Sequence, residues 1–217
     1  MIKAKMLCDT TFLGSRVSTV ILHAPKFLDA ELEKHGNIAT NSSSSRALGF
    51  PATKRQGGIP YIPAKLYQPN GGSMHSSLEI ADDLYKRVTK DIIELYENTL
   101  DTLIPYEGFV HKQHLNRYIE PMAIQTKVMT ANYDAYENLI KLRSAPDADP
   151  AIREVAVAIK EALESSTPTE ATVHIPLIEV DDSQQLIDQN NFTTLDELWL
   201  ATGLLSAGRL ARLSFGV

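Results

Sequence analysis

Apolar and polar positions along the chain follow two periods, one of two residues and one between three and four. Residues 16–23 (RVSTVILH) are rich in β-branched and apolar side chains, which predicts a strand that ends at Pro25. Residues 123–131 (AIQTKVMTA) alternate and predict another strand. Residues 26–36 instead place apolar side chains on one face and stop at Gly36, which predicts a helix.

Longer stretches have the spacing of amphipathic helices, with apolar residues three or four positions apart. They cover residues 74–103, 110–120, 132–143, 151–166 and 193–215. Asn132 is suited to an N-cap, and Thr194 with Glu197 forms a capping-box pattern at the start of the last helix. Irregular structure is expected over residues 50–73, which are rich in proline and glycine, and over residues 167–192.

Composition and charge exclude several classes of site and partner. The formal net charge is −6 at pH 7, so we expect no nucleic-acid polymer as partner. Cys8 is the single cysteine, which excludes a disulfide scaffold and fits a reducing compartment. His111 and His114 lack a third ligand at metal spacing, so no metal site is expected. No apolar run reaches membrane-spanning length and no secretory signal begins the chain, so we expect a cytoplasmic protein without a membrane partner.

The candidate chemistry that remains is polar. The sequence contains no Gly-x-Gly-x-x-Gly pattern, P-loop or Gly-x-Ser-x-Gly elbow. A serine run at residues 42–45 leads into Arg46, and Arg117 and Arg143 follow later. Serine hydroxyls and planar guanidinium groups suit a phosphate or carboxylate. The same residues are also typical of a linker and of solvated surface arginines, so composition alone leaves both interpretations open.

A resemblance to a known family favours the first interpretation. The stretch APKFLDAELEKHGNIATNSSSSRA, residues 24–47, resembles the core of the flavin-dependent thymidylate synthases. Their motif is Arg-His-Arg-x-x-Ser-x-Asn-Glu-x-Ser-x-Arg. Lys34 and His35 fall on its first arginine and its histidine, and Ser44 and Arg46 fall on its last serine and arginine.

A second block, residues 116–156, resembles the same family in the same order. Matching polar positions in it are Arg117, Asn132, Asn138 and Arg143. The segment ARLSF at residues 211–215 is similar to an Ala-Arg-Val-Ser piece that the phage branch of the family carries near its C-terminus. The two ordered blocks and the tail together cover most of the chain.

The resemblance implies the fold, the domain and the reaction. The fold is α+β, the thymidylate synthase-complementing-protein fold, with a small antiparallel or mixed sheet packed with long helices. One such domain spans residues 1–217, without the segment that closes the site at the C-terminus in the family. The reaction is reductive methylation of dUMP to dTMP with methylenetetrahydrofolate, FAD and NADPH. The family is homotetrameric, and its sites are shared between subunits.

The resemblance also implies roles for individual residues. Nucleotide contacts are expected at Glu31, Ser44, Ser45, Arg46, Arg117 and Arg143. The resemblance gives Ser44 and Arg143 catalytic roles among these. For Arg143 the reason is that a cation at the uracil carbonyl edge stabilises charge that develops on the ring. Flavin contacts are expected at Lys34, His35, Asn41, Asn132 and Asn138.

Three positions depart from the family pattern. Gly36 replaces the second arginine of the triplet, Ser42 replaces the glutamate, and Asp134 replaces a flavin-contacting arginine. These departures keep other hypotheses open. One is a pyrimidine-nucleotide hydroxymethylase or similar base-modifying relative, and another is a non-catalytic nucleotide-binding homologue. A third is an unrelated helical interaction protein.

Overall fold

The structure, a computed structural model, describes residues 2–42, 60–69, 78–190 and 192–213. Within these ranges the chain forms one five-stranded sheet and seven α-helices. The strands are β1 (Lys3–Phe12), β2 (Ser15–Pro25), β3 (Ala39–Ser42), β4 (Ile124–Asn132) and β5 (Thr169–Glu170). The helices are α1 (Asp29–Leu32), α2 (Asp82–Leu103), α3 (Lys112–Ile119), α4 (Tyr133–Arg143), α5 (Pro150–Glu164), α6 (Val180–Gln189) and α7 (Leu195–Leu213). The predicted α+β class is confirmed.

The sheet is mixed and has the strand order β3-β4-β2-β1-β5. The first four strands in this order pair antiparallel, and β5 lies parallel to β1. Leu13 and Gly14 join β1 to β2 with positive φ angles of 48° and 81°, the combination found in a type I′ hairpin turn. Sequence analysis did not predict β1, because a register shift between Met6 and Cys8 interrupts its alternation.

One face of the sheet carries the main core. Val20, Leu22 and Ala24 alternate along β2 and are fully buried in the cluster that α4 and α5 complete. The side chains that α5 contributes are spaced three or four residues apart and are Ile152, Val155, Ile159 and Leu163. Full burial of one such side chain stabilises the folded protein by about 1.5–3 kcal/mol, whereas one hydrogen bond contributes about 1 kcal/mol. This apolar layer is therefore a larger source of stability than any single hydrogen bond.

Helices α2 and α3 form a helical arm with a smaller core of its own. Tyr96 and Leu100 of α2 pack against Leu115 and Ile119 of α3, and all four are buried. None of the helices in the described ranges combines the length and the apolar character that a membrane crossing needs.

The long helix begins later than predicted. Residues 74–77 of the predicted helix lie outside the described residues, and residues 78–81 are not helical, with Glu79 bridging to Tyr67. Helix α2 starts at Asp82, and the carboxylates of Asp82 and Asp83 favour its positive N-terminal end.

The predicted helix over residues 26–36 is wrong in length. The chain forms a 3₁₀ turn at Lys26–Leu28 and then only the single turn of α1. The backbone N–H of His35 donates to the carbonyl of Leu32, and that of Ile38 donates to the carbonyl of His35. The chain therefore turns toward β3 instead of extending the helix.

The C-terminal part is more helical than expected. Helix α6 lies inside the region predicted to be irregular, and it begins with a reciprocal capping box between Glu179 and Asp182. Its mostly polar sequence gave little apolar periodicity. The predicted start of α7 is confirmed, because Thr194 Oγ1 accepts from Glu197 N and Glu197 Oε2 accepts from Thr194 N, both at 3.3 Å.

Candidate ligand-binding cleft

A polar cleft of about 620 Å³ opens between α4 and the turn that follows α1. This volume lies within the range of about 300–1,000 Å³ that is usual for small-molecule sites. Its lining residues come from these two segments and are Lys34, His35, Gly36, Asn37, Ile38, Asn132, Asp134, Ala135, Asn138, Leu142 and Arg143. Residues that are distant in the sequence therefore line the same cleft.

The α4 wall of the cleft is fixed to the sheet at its start. Asn132 ends β4 and caps α4, because its Oδ1 accepts from the backbone N–H of Ala135 at 3.0 Å. Tyr136 is fully buried, and its hydroxyl donates to the carbonyl of Met129 at 2.8 Å. Burial raises the pKa of the Tyr136 hydroxyl, which therefore stays a donor. These bonds hold Asn138 and Arg143 in place further along the helix.

The opposite wall depends on α1 and on a buried lysine. Leu28 and Leu32 anchor this segment in the main core. Lys127 of β4 is fully buried, and its Nζ lies 2.9 Å from Asp29 Oδ1 and 3.4 Å from Glu33 Oε1. Lys34 and His35 follow directly after this ion-paired turn.

His35 and Arg143 meet across the cleft. The guanidinium Nε of Arg143 donates to His35 Nε2 at 3.1 Å, which requires that this ring nitrogen carry no proton. Burial and the Arg143 charge lower the pKa of His35 below its ordinary value of 6.5. At neutral pH the pair therefore consists of a neutral imidazole and a charged guanidinium.

The charges of the cleft are unevenly distributed. Asp134 lies in the first turn of α4 and Arg143 at its last residue, about 13 Å apart at 1.5 Å per residue. Lys34 adds a second cation, and among the described residues no hydrogen bond or ion pair engages its ammonium group or the Asn138 amide. Such an arrangement can hold an anionic, planar ligand near Arg143 and hydroxyl groups near Asp134.

The structure places the predicted site residues in three groups. Those that line the cleft together are Lys34, His35, Asn132, Asn138 and Arg143. Those that do not line it are Glu31 on α1, Asn41 on β3 and Arg117 on the helical arm. Ser44, Ser45 and Arg46 lie outside the described residues.

Sequence reasoning missed some of the lining residues. Leu142 follows Asn138 by one helical turn, so the spacing along α4 could have indicated it. Asn37 and Ile38 lie just after the predicted helix, which covers residues 26–36. They fall on motif positions for which the sequence predicts no contact. No periodic signal marked them.

A smaller cleft of about 270 Å³ adjoins the first and shares Asn132 and Asp134 with it. Arg16 lines this second cleft and lies over the ring of Tyr133 at 5.2 Å from its centroid. Its Nε and Nη2 also form a bidentate ion pair with Asp9 over 2.9 and 2.7 Å. The Arg16 charge is therefore already balanced within the protein.

His111 has a structural role. His111 caps α3, because its Nδ1 accepts from the backbone N–H of Gln113 at 3.3 Å. Within the described ranges, no three His, Cys, Asp or Glu side chains are grouped so that they could hold a metal ion.

The fold and the cleft define a mixed α+β protein with a polar cleft beside the sheet. The sequence matches the Thy1 family, the thymidylate synthase complementing proteins, over residues 12–169. The chain belongs to this family, so the resemblance inferred from its motifs is confirmed. A comparison with curated protein sequences finds no match.

Solved structures are similar to this chain at low sequence identity, and two of them have TM-scores above 0.5. The UMP/dUMP methylase PolB from Streptomyces cacaoi bound with 5-Br UMP has a TM-score of 0.65 and 14% identity, covering 75% of this chain and 88% of that one. The PolB structure with 5-Br dUMP has a TM-score of 0.56 and 19% identity, with coverage of 68% and 65%. Thymidylate Synthase X from Helicobacter pylori, solved with FAD and dUMP, has a TM-score of 0.46 and 14% identity, with coverage of 68% and 67%.

The resemblance to flavin-dependent enzymes implies a flavin, and some of the residues that line the cleft have the chemistry to hold one. Lys34 and Asn138 supply donors for ring carbonyls or a phosphate. Asp134 accepts hydrogen bonds from hydroxyl groups, but its carboxylate repels a diphosphate placed beside it. The Asn132 side-chain oxygen is already used in capping α4.

Proposed function

We propose that this protein binds a pyrimidine nucleoside 5′-monophosphate, dUMP or UMP, and methylates its ring at C5 in a flavin-dependent reaction. The observation that carries this proposal is the shared cleft, which brings Lys34, His35, Asn138 and Arg143 together in a chain of the Thy1 family. The named ligands of the PolB structures, 5-Br UMP and 5-Br dUMP, support a pyrimidine nucleotide as the substrate class.

Arg143 is proposed to act on the pyrimidine ring. His35 engages its Nε, so the terminal guanidinium nitrogens can face a ligand in the cleft. When the ring becomes electron-rich at C5, negative charge develops on its carbonyl oxygens. A fixed cation at that edge stabilises this charge without reorganising, which lowers the barrier.

Lys34, His35 and Asn138 would hold the flavin in this proposal, with FAD as the form that the family resemblance favours. When bound, a reduced flavin would supply the hydride, with methylenetetrahydrofolate as the carbon source and NADPH as the reductant. The protein's own residues orient the nucleotide and neutralise its charge.

Arg117 is proposed to serve a neighbouring subunit. It is exposed on the helical arm and does not line the cleft of its own chain. We propose a homo-oligomer, a tetramer as in the family, in which the arm brings Arg117 to the cleft of a partner. Mixing inactive Arg117→Ala and Arg143→Ala proteins should then restore part of the activity, since some mixed sites regain both arginines. Mixtures that remain inactive would contradict shared sites.

The first experiment is calorimetric titration of the purified protein with dUMP and with UMP, followed by mass analysis of the product after adding FAD, NADPH and methylenetetrahydrofolate. Arg143→Ala and Arg46→Ala should abolish binding, whereas Lys141→Ala, an exposed cation on the same helix, should not. A mass gain of a methyl group supports the proposal, and a hydroxymethyl group would indicate the base-modifying alternative.

A non-catalytic nucleotide-binding homologue is the second candidate. Gly36 and Asp134, both in the cleft, remove positive charge relative to the family pattern. Nucleotide binding without flavin binding or product formation would favour this candidate over an enzyme.

A further inference from the structure

Lys127, near the middle of β4, is an unusual residue for the interior of a sheet. Its side chain is 0% exposed. Its position pairs with Leu22 on β2 and with Ser42 on β3, so strands flank it on both sides. A charged ammonium in such a place is costly unless it is paired and hydrogen-bonded.

The partners of Lys127 are two carboxylates one helical turn apart. Its Nζ contacts Asp29 Oδ1 at 2.9 Å and Glu33 Oε1 at 3.4 Å. The amide of Gln125, two residues earlier on the same strand, also donates to Asp29 Oδ1. Both ends of the short segment 29–33 are therefore tied to one strand by polar contacts.

Stability alone explains this arrangement poorly. Replacing a buried ion pair with apolar side chains of similar size is often neutral or stabilising. The Glu33 side chain is 58% exposed, and a pair open to solvent contributes little. What the contacts determine is position, because α1 is a single turn of four residues and cannot hold its own geometry.

The segments attached to Lys127 lead into the candidate site. Lys34 and His35 follow Glu33 directly and line the cleft. The other wall of the cleft, α4, begins at Asn132, at the end of the strand that carries Lys127. One strand therefore fixes both walls, one through its own continuation and the other through the Lys127 side chain.

We infer that Lys127 is a positioning residue of the cleft, which acts through Asp29 and Glu33 to hold Lys34 and His35 opposite α4. It touches no ligand in this role. The inference rests on the proposed function for the identity of the ligand, whereas the positions of His35 and Arg143 can be tested without any ligand.

The main test compares Lys127→Met with the wild-type protein and with Lys26→Met. Lys26 is a matched control, since it is a partly buried lysine paired with Glu120 at 3.0 Å and lies in the connection between β2 and α1. Lys127→Met leaves Asp29 and Glu33 without their partner, so its thermal midpoint should fall. At temperatures well below that midpoint it should bind dUMP and UMP about tenfold more weakly by calorimetry, because Arg143 loses its His35 partner. Lys26→Met should bind both nucleotides like the wild type. Equal affinity in Lys127→Met and wild type, or equal losses in both variants, would overturn the inference.

The second readout is the NMR titration of His35. If the turn moves in Lys127→Met, His35 leaves Arg143 and its pKa rises toward the ordinary value of 6.5. Glu33→Gln, at a half-exposed position, should give a smaller shift in the same direction and should not add to the effect of Lys127→Met. An unchanged His35 titration in both variants would refute the positioning role. Wild-type protein that binds neither nucleotide would refute the proposed function, while the His35 titration still decides the role of Lys127.

Discussion

Arg143 and His35 form a hydrogen bond across the cleft that depends on the protonation state of the histidine. The guanidinium donates from Nε to His35 Nε2 at 3.1 Å, and an imidazolium could not accept this bond. The two walls of the candidate site are thus joined by a contact that acid would break. The charge of His35 therefore determines whether the two walls of the cleft are held together by this hydrogen bond.

The first prediction concerns pH. Burial and Arg143 lower the pKa of His35 in the folded protein, so below pH 6.5 the unfolded chain binds the proton more readily. The stabilisation linked to His35 is therefore fully present above 6.5 and decreases as the pH falls toward the folded pKa. Thermal midpoints measured between about pH 7.5 and about pH 5 should fall more for wild type than for His35→Gln.

The comparison with His35→Gln is needed because two other histidines respond in the same range. Burial also lowers the pKa values of His23 and His174, and both remain in the variant. Identical pH profiles for the two proteins would show that His35 does not contribute.

The second prediction concerns Asp134 and flavin affinity. Asp134→Arg replaces a negative charge on the cleft wall with a positive one, so binding of FAD should become stronger, by about tenfold or more. Quenching of flavin fluorescence during titration measures this affinity. Glu137→Arg makes the same charge change at an exposed position of α4 outside the cleft lining and should leave the affinity nearly unaltered. Weaker FAD binding by Asp134→Arg would show that the phosphates lie elsewhere.

The third prediction concerns Gly36, the other departure from the family motif. No heavy atom beyond the chain neighbours lies within 4 Å of a Cβ added at this position, so a longer side chain fits. Gly36→Arg should change the free energy of unfolding by less than about 0.5 kcal/mol. It should also strengthen binding of phosphate-bearing ligands, because Gly36 lines the cleft. Gly14→Arg is the contrasting variant: its φ of 81° is strained for any side chain, so stability should fall.

The fourth prediction separates two roles of Asn132. Asn132→Ala removes the cap on Ala135 N and should destabilise the protein by about 1 kcal/mol in urea unfolding. Asn132→Asp keeps an acceptor oxygen at the cap and should retain nearly full stability. If the Asn132 amide also contacts the cofactor, Asn132→Asp should still lose flavin affinity, and unchanged affinity would limit Asn132 to capping.

The fifth prediction concerns the ion pair of Asp9 and Arg16 beside the second cleft. Burial acts to raise the pKa of Asp9, but hydrogen bonds from Arg16, Ser166 and Ser18 outweigh it, so the net pKa is lowered. The stabilisation from Asp9 is therefore present above its ordinary value of 3.8 and is lost as the pH falls through the folded value. Asp9→Asn should cost about 3 kcal/mol at neutral pH in urea unfolding.

The control for this variant is the double substitution Asp9→Asn with Arg16→Met. Removing both charges should cost less than Asp9→Asn alone, since no partly buried guanidinium is then left without its partner. A double variant that is less stable by the full sum would contradict a direct coupling between the two residues.

Structural features that depend on residues close together in the sequence could be predicted. Asn132 and the Thr194–Glu197 pair were recognisable as caps because capping depends on residues three positions apart. Strand β1 was missed because its bulge interrupts the period of two. The helix expected over residues 26–36 is too long. Leu28 and Leu32 are four residues apart and both are buried in the main core, and this spacing also fits a longer helix.

The candidate site could be predicted only in part for a similar reason. The family motif placed Lys34, His35 and Arg143 among functional residues, yet the role of Lys127 has no signal in the chain. A lysine in a strand normally points to solvent, and only the packing of α1 against β4 shows that this one does not. The local periodicity of a sequence gives no information on contacts between segments that are distant along the chain.

The separate core of the helical arm has a consequence for local opening. Tyr96, Leu100, Leu115 and Ile119 pack with one another and with two partly buried neighbours, not with the layer under the sheet. Parts of a protein with few buried apolar contacts exchange their amide hydrogens by local unfolding. Amides in the main core exchange only when the whole protein unfolds. The amides of α2 and α3 should therefore exchange with deuterium well before those of β2 and β4. The arm would then behave as an independent cooperative unit that can rearrange without loosening the sheet.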